Sequence, residues 1–185
     1  DYEGMRKAGL LAAQVLDMVA GEVRPGVTTE KLNQLCHEMI VSHGAIPAPL
    51  NYNGFPKSIC TSINHVVCHG IPDDRPLKDG DIVNVDVTVI LDGWYGDTSR
   101  MYWAGEPSIK AKRLTEITYL AMMEGIKKIK PGATTGDIGA AIQQFAEPHG
   151  FSIVKDYCGH GIGRIFHGAP NILHYGKPGS GVTLK

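Results

Sequence analysis

The stretch DIVNVDVTVILDGWYGDTSRMYW, residues 81–103, decides the fold. From Asp81 to Leu91 it alternates, with Val83, Val85, Val87 and Val89 on one side and Asn84, Asp86 and Thr88 on the other. A period of two is that of a β-strand with one apolar face. Asp92-Gly93 is a strong signal for a two-residue hairpin loop. Trp94 to Trp103 is then the returning strand. In that register Leu91 faces Trp94, Thr88 faces Asp97 and Asp86 faces Ser99. Asp86 and Asp97 therefore project to one side as diagonal neighbours, with β-carbons roughly 6–8 Å apart. From there two carboxylates can share one cation, or straddle two ions about 3.5–4 Å apart. A solvated sheet face would carry such acids too, so the hairpin alone leaves both readings open.

Outward from the hairpin the period becomes helical. A first helix spans Tyr2 to Ala20, with Leu10, Leu11, Val15, Leu16, Met18 and Val19 as a broad apolar stripe, and Arg24-Pro25-Gly26 breaks the chain after it. A second helix opens at Thr28-Thr29, where a hydroxyl can cap the first amides. Leu32, Leu35, Cys36, Met39 and Ile40 give it one core face, and His43-Gly44 closes it. A third helix is expected from about Ser108 to Ile129. Pro25-Gly26-Val27-Thr28-Thr29 then returns as Pro131-Gly132-Ala133-Thr134-Thr135. Each copy leads into a helix, Leu32 corresponds to Ile138, and each helix ends in His-Gly, at His43-Gly44 and His149-Gly150. Two copies point to an α+β domain of two related halves, with helices on one side of a curved antiparallel sheet and a cleft on the other.

The 185 residues suffice for one domain with a substantial core, and 43% hydrophobic with 20% charged residues is ordinary globular composition. A formal net charge of -1 gives no electrostatic reason to expect DNA or an anionic membrane as partner. Cys36, Cys60, Cys68 and Cys158 form no CxxC pair or zinc-finger spacing and read as reduced thiols of a cytoplasmic protein. No apolar run reaches membrane-spanning length. The chain opens at Asp1 without an initiator methionine, as a trimmed start would.

Besides the two that end helices in His-Gly, three histidines stand beside glycine. His69 lies in Cys68-His69-Gly70-Ile71-Pro72, His160 in Cys158-Gly159-His160-Gly161-Ile162-Gly163, and His167 in Phe166-His167-Gly168. Glycines flanking His160 remove bulk, so a ligand can approach both ring and backbone. Neutral imidazole with carboxylate is a common donor mixture for divalent transition metals. His37, His43, His65, His149 and His174 read as surface or hydrogen-bonded residues.

Cys-His-Gly-Ile-Pro, Asn-Val-Asp-Val-Thr, Tyr-Gly-Asp-Thr-Ser and Gly-His-Gly-Ile-Gly-Arg together resemble the type I methionine aminopeptidases, of the pita-bread metallopeptidase fold. The resemblance runs from near Asp1 to Lys185. It implies removal of the first methionine from new proteins when the second residue is small, by metal-activated water. It implies two divalent ions, of Co, Mn, Fe or Zn. Asp86 would chelate one ion, Asp97 would bridge both and His160 would bind the other. His69 would help protonate the leaving amine, and His167 would hydrogen-bond the substrate carbonyl. Tyr52, Phe55, Cys60 and Phe166 match the positions that line the methionine side-chain pocket. The partner implied is the N-terminal peptide of nascent proteins near the ribosome, met by a cytoplasmic monomer.

The family pattern also has two later glutamates, one in Thr-x-Glu-Pro, beyond the position of Lys185. The expectation is therefore that residues 1–185 alone supply three protein ligands, bind metal weakly and have little activity. The nearest rivals are Xaa-Pro peptidases of the same fold and non-catalytic modules. The latter should have replaced Asp86, Asp97 or His160, and all three are present.

Overall fold

In a computed structural model, which describes residues 1–185, the alternating stretch forms the expected hairpin. Contacts group the chain into two units, Asp1–Ser108 with Ile162–Phe166, and Ile109–Gly161 with His167–Lys185. The first unit runs α1 (Tyr2–Ala20), α2 (Thr29–Ser42), β1 (Ile46–Pro47), a short 3-10 turn at Tyr52–Gly54, β2 (Cys60–Ile63), β3 (Asp81–Leu91) and β4 (Trp94–Ala104). β3 is central, with β4 along one edge and β1 and β2 along the other, all antiparallel.

The register is the one expected from the loop: Leu91 pairs with Trp94, Thr88 with Asp97 and Asp86 with Ser99. Asp92 and Gly93 both take positive φ, 51° and 76°, as a two-residue hairpin turn requires. Val83, Val85, Val87 and Val89 are all fully buried, and the core they enter includes Ala8, Leu11, Ala12, Val15, Leu16 and Val19 of α1. Each such side chain stabilises the fold by roughly 1.5–3 kcal/mol relative to leaving it in water. The opposite face of β3, carrying Asn84 and Asp86, is left half-exposed.

Two contacts seat α1 on the hairpin. A Cβ on Gly4 would collide with the Trp94 indole, and one on Gly96 would lie 2.6 Å from the Gly9 amide nitrogen. Helix backbone thus rests directly on strand backbone at Gly96, an approach that only glycine permits. Tyr102 ties the two together from the side, its hydroxyl donating to the Leu16 carbonyl at 2.6 Å.

The second unit contains α3 (Ile109–Ile126), α4 (Thr135–Ala146), a 3-10 turn at Glu147–His149, β5 (Gly159–Gly161) and β6 (Gly168–Ile172), the last two an antiparallel pair. α3 ends three residues before the expected Ile129. Lys128 and Ile129 make i→i−3 bonds to Gly125 and Ile126, a tightened turn ahead of Pro131, and the residue preceding a proline avoids helical geometry.

The duplicated motif recurs as the same local structure in each unit. Thr28 caps α2 by accepting from the Lys31 amide. Thr134 caps α4, with Asp137 reciprocating in a capping box. Gly26 donates to Leu77 and Leu77 to Val27; in the second unit Gly132 donates to Leu184 and Leu184 to Ala133. Gly44 and Gly150 follow the two helical stretches at φ 72° and 85°, the left-handed conformation that ends helices. No helix is long and apolar enough to cross a membrane.

Candidate active-site residues

β3 and β4 put Asp86 and Asp97 on the same face, because Asp97 pairs with Thr88 and Thr88 shares its face with Asp86 two residues away. Both are half-buried. The β2–β3 register sets Cys60 directly across from Asp86. The Cys60 thiol is pushed up to about 12, chiefly by burial and then by the Asp86 carboxylate, Cys68 and Asp97. At neutral pH it is therefore an uncharged, apolar group beside two acids.

Phe166, buried, completes an aromatic cluster in the same unit. Its ring meets Tyr52 edge-on at 4.9 Å and stacks on Tyr95 at 5.5 Å. Of the four residues matched to a side-chain pocket, Tyr52 and Phe166 touch, Cys60 borders the acids, and Phe55 follows the Tyr52–Gly54 turn half-buried. Tyr95 is a member that the sequence reading missed. Its signal was available, since Tyr95 lies two residues before Asp97 and so shares its face.

His69 stands at φ 56°, a left-handed conformation that costs a non-glycine residue roughly 1–2 kcal/mol. Its neighbour Gly70 holds it there: the Gly70 carbonyl accepts from the Thr61 amide at 2.8 Å, and its amide donates to the Ser62 hydroxyl at 3.1 Å. A Cβ at Gly70 would run into the Thr61 carbonyl. Backbone strain maintained by surrounding bonds is common at functional positions.

In the second unit His160 lies on β5, its ring 4.5 Å from that of His167. His160 Nδ1 sits 3.0 Å from the Gly161 carbonyl. A carbonyl only accepts, so in the neutral ring Nδ1 carries the proton and the lone pair is on Nε2. That is the tautomer of a metal-ligating imidazole fixed by a backbone hydrogen bond. The flanking glycines have a further use. A Cβ on Gly161 would strike the Ala169 carbonyl, so this glycine lets β5 close on β6, where a bulge falls between His160 and Gly161.

Of the remaining histidines, His37 bonds the Ser58 hydroxyl at 2.8 Å, and His43 and His149 bond carbonyls four residues back on their own helices. These three have the structural roles expected of them. Neither unit by itself gathers three His, Cys, Asp or Glu side chains into a metal-holding group. The donors present are two carboxylates on one sheet face and an imidazole with its Nε2 lone pair, types that suit a divalent transition metal.

Paired strand carboxylates and an imidazole are donor types that metal-dependent hydrolases use. The class is confirmed directly: residues 3–185 match the model of metallopeptidase family M24, and the chain belongs to that family. It is 67% identical over 185 residues to a methionine aminopeptidase of Rickettsia prowazekii (strain Madrid E), spanning all of this chain and 71% of that protein. The crystal structure of methionine aminopeptidase from Rickettsia prowazekii superposes with a TM-score of 0.98, covering 100% of this chain and 74% of that one. A prolidase from Pyrococcus furiosus has the same fold, with a TM-score of 0.81 at 21% identity over 52% of its length. The pita-bread architecture expected from the sequence is the fold shared by these neighbours.

Proposed function

We propose that this protein is a metalloaminopeptidase that removes the N-terminal methionine of newly made proteins when the second residue is small. The observation that carries the reading is the Asp86–Asp97 pair on one sheet face, with the neutral Cys60 thiol opposite Asp86, in a chain of a metallopeptidase family. Asp86, Asp97 and His160 would supply ligands to two divalent ions, from among Co, Mn, Fe and Zn. Bound there, such ions supply a nucleophile from water at neutral pH and polarise the scissile carbonyl.

The remaining chemistry falls to the chain's own groups. His167 donates a hydrogen bond to the carbonyl oxygen as negative charge develops on it. His69 passes a proton toward the leaving amine. Tyr52, Phe55, Cys60 and Phe166 take the methionine side chain, since aromatic faces and an uncharged thiol make a soft apolar slot for a thioether. The protein would meet its substrates near the ribosome, as a cytoplasmic monomer.

The test is release of methionine from Met-Ala-Ser by the complete, metal-loaded protein, measured beside an Ala-Pro dipeptide and repeated after chelation. Methionine release that chelator abolishes, with Ala-Pro left intact, is the expected result. Cleavage of Ala-Pro without release of methionine would instead mark an Xaa-Pro peptidase.

A further inference from the structure

We propose that Arg164 is a positioning residue that latches the segment 162–166 to the tip of the β3–β4 hairpin and thereby sets the place of Phe166. This rests on the reading of Phe166 as a wall of the methionine pocket, and it assigns a role to a residue that touches neither substrate nor metal.

The Arg164 guanidinium lies 4.0 Å over the Trp94 ring and donates to the Asp92 carbonyl at 3.1 Å. Beside it, the Tyr95 amide donates to the Gly163 carbonyl at 2.9 Å. Two residues on, Phe166 is buried against Tyr95 and Tyr52. The segment is therefore pinned at three successive points, by one backbone bond, one cation and one aromatic ring.

The hairpin is shaped to receive this cation. Gly93 supplies the positive φ of the turn, and a Cβ there would lie 2.7 Å from the Arg164 Nη1. The glycine thus serves both the turn and the arginine. Trp94 packs where Gly4 lacks a side chain, so the indole lies against α1. A planar cation that stacks and donates at once is arginine chemistry, and lysine supplies only the charge.

Ile165 is 67% exposed, and Arg164 itself is exposed. With the guanidinium gone, the Gly163 backbone bond and the Phe166 ring remain, and the ring gains freedom to shift within its cluster. Pocket geometry should loosen while the acids of β3 and β4 stay in place, so substrate binding suffers before the chemical step.

The experiment uses the complete, metal-loaded protein in a background where Trp103 and any other tryptophan except Trp94 are Phe, leaving Trp94 as the reporter. Arg164→Ala should alter Trp94 emission and raise KM for Met-Ala-Ser about ten-fold, with kcat within about two-fold, the size of effect expected from one cation–π contact and one charge-assisted hydrogen bond. Arg164→Lys should restore part of both. Should the alanine variant not fold, Arg164→Met answers the same question, because it keeps an apolar stem and loses the cation. An unchanged KM, or a loss confined to kcat, overturns the proposal. Phe166→Ala separates this from the pocket reading. If that variant leaves KM unaltered, the pocket reading fails and the latch with it; if it raises KM while Arg164→Ala does nothing, the latch alone fails.

Discussion

Gly96→Ala is a stringent test of how α1 sits on the hairpin. The new methyl would lie 2.6 Å from the Gly9 nitrogen, against an ordinary contact of at least 3.4 Å, and still closer to the Ala8 backbone. Those are backbone atoms inside a helix, so no side chain can rotate away. α1 must lift from β4 by about 1 Å, and it carries Ala8, Leu11, Ala12 and Val15 of the core with it. Overpacking of this kind costs typically 1–3 kcal/mol, and the rigid contact places this case near ~3 kcal/mol. With a urea slope of roughly 2–3 kcal/mol/M, the unfolding midpoint should fall by about 1 M. The thermal midpoint should drop by roughly 6–12 °C. Trp94 and Trp103 both lie in this unit, so tryptophan fluorescence follows the event directly. Gly9→Ala is the paired control. Its Cβ meets nothing within 4 Å, and it sits in mid-helix, where alanine is favoured over glycine by roughly 0.5–1 kcal/mol. One glycine should therefore destabilise and the other stabilise, on two elements in direct contact. Equal midpoints for Gly96→Ala and the parent would refute the claim that α1 rests on strand backbone.

Asp97→Asn and Asp86→Asn should each reduce bound divalent metal in the complete protein and lower methionine release by about 100-fold or more, measured by elemental analysis and peptide assay. Thr134→Ala removes the hydroxyl half of the capping box on α4 and should destabilise the second unit by about 1 kcal/mol, read from hydrogen exchange of the first-turn amides. Burial holds the His174 imidazole below its ordinary 6.5. The unfolded chain therefore binds the extra proton first, so stability from this group is present above pH 6.5 and is lost as pH falls from 6.5 through the lowered value. His174→Gln should flatten the acid side of a plot of thermal midpoint against pH, and an unchanged slope would show that His174 is not the titrating group.

Where the sequence was informative, the controlling interactions were local. The β3–β4 register was readable because a two-residue loop leaves no freedom, and Asp92-Gly93 can take the two positive φ values that such a loop demands. α1 was readable because its stripe is long and its breaker follows at once. The capped starts of α2 and α4 were readable because a cap depends on a residue three positions away. Residues joined by non-local pairing were hidden. Nothing near Cys60 announces that it faces Asp86, because the β2–β3 register is set by a connection of seventeen residues containing no tight-turn signal of its own. The glycines of Gly159-His160-Gly161 were legible as a need for space, but the space at Gly161 is filled by the Ala169 carbonyl, a partner eight residues away.

The same distinction explains why the candidate donors were easier to see than the residues around them. Asp86, Asp97 and His160 stand out because carboxylates in an alternating strand and an imidazole between glycines are unusual company for those backbones. Trp94 and Arg164 each pass for ordinary surface or core residues in the sequence. Their meaning arises only when residues 162–166 lie against the hairpin tip, seventy positions away in the chain, where the guanidinium finds the Trp94 ring and the Asp92 carbonyl together. A side chain that acts on a reaction through another residue has no chemical signature of its own. It becomes visible through contact geometry, and so the latch, unlike the acids, had to be found in the structure.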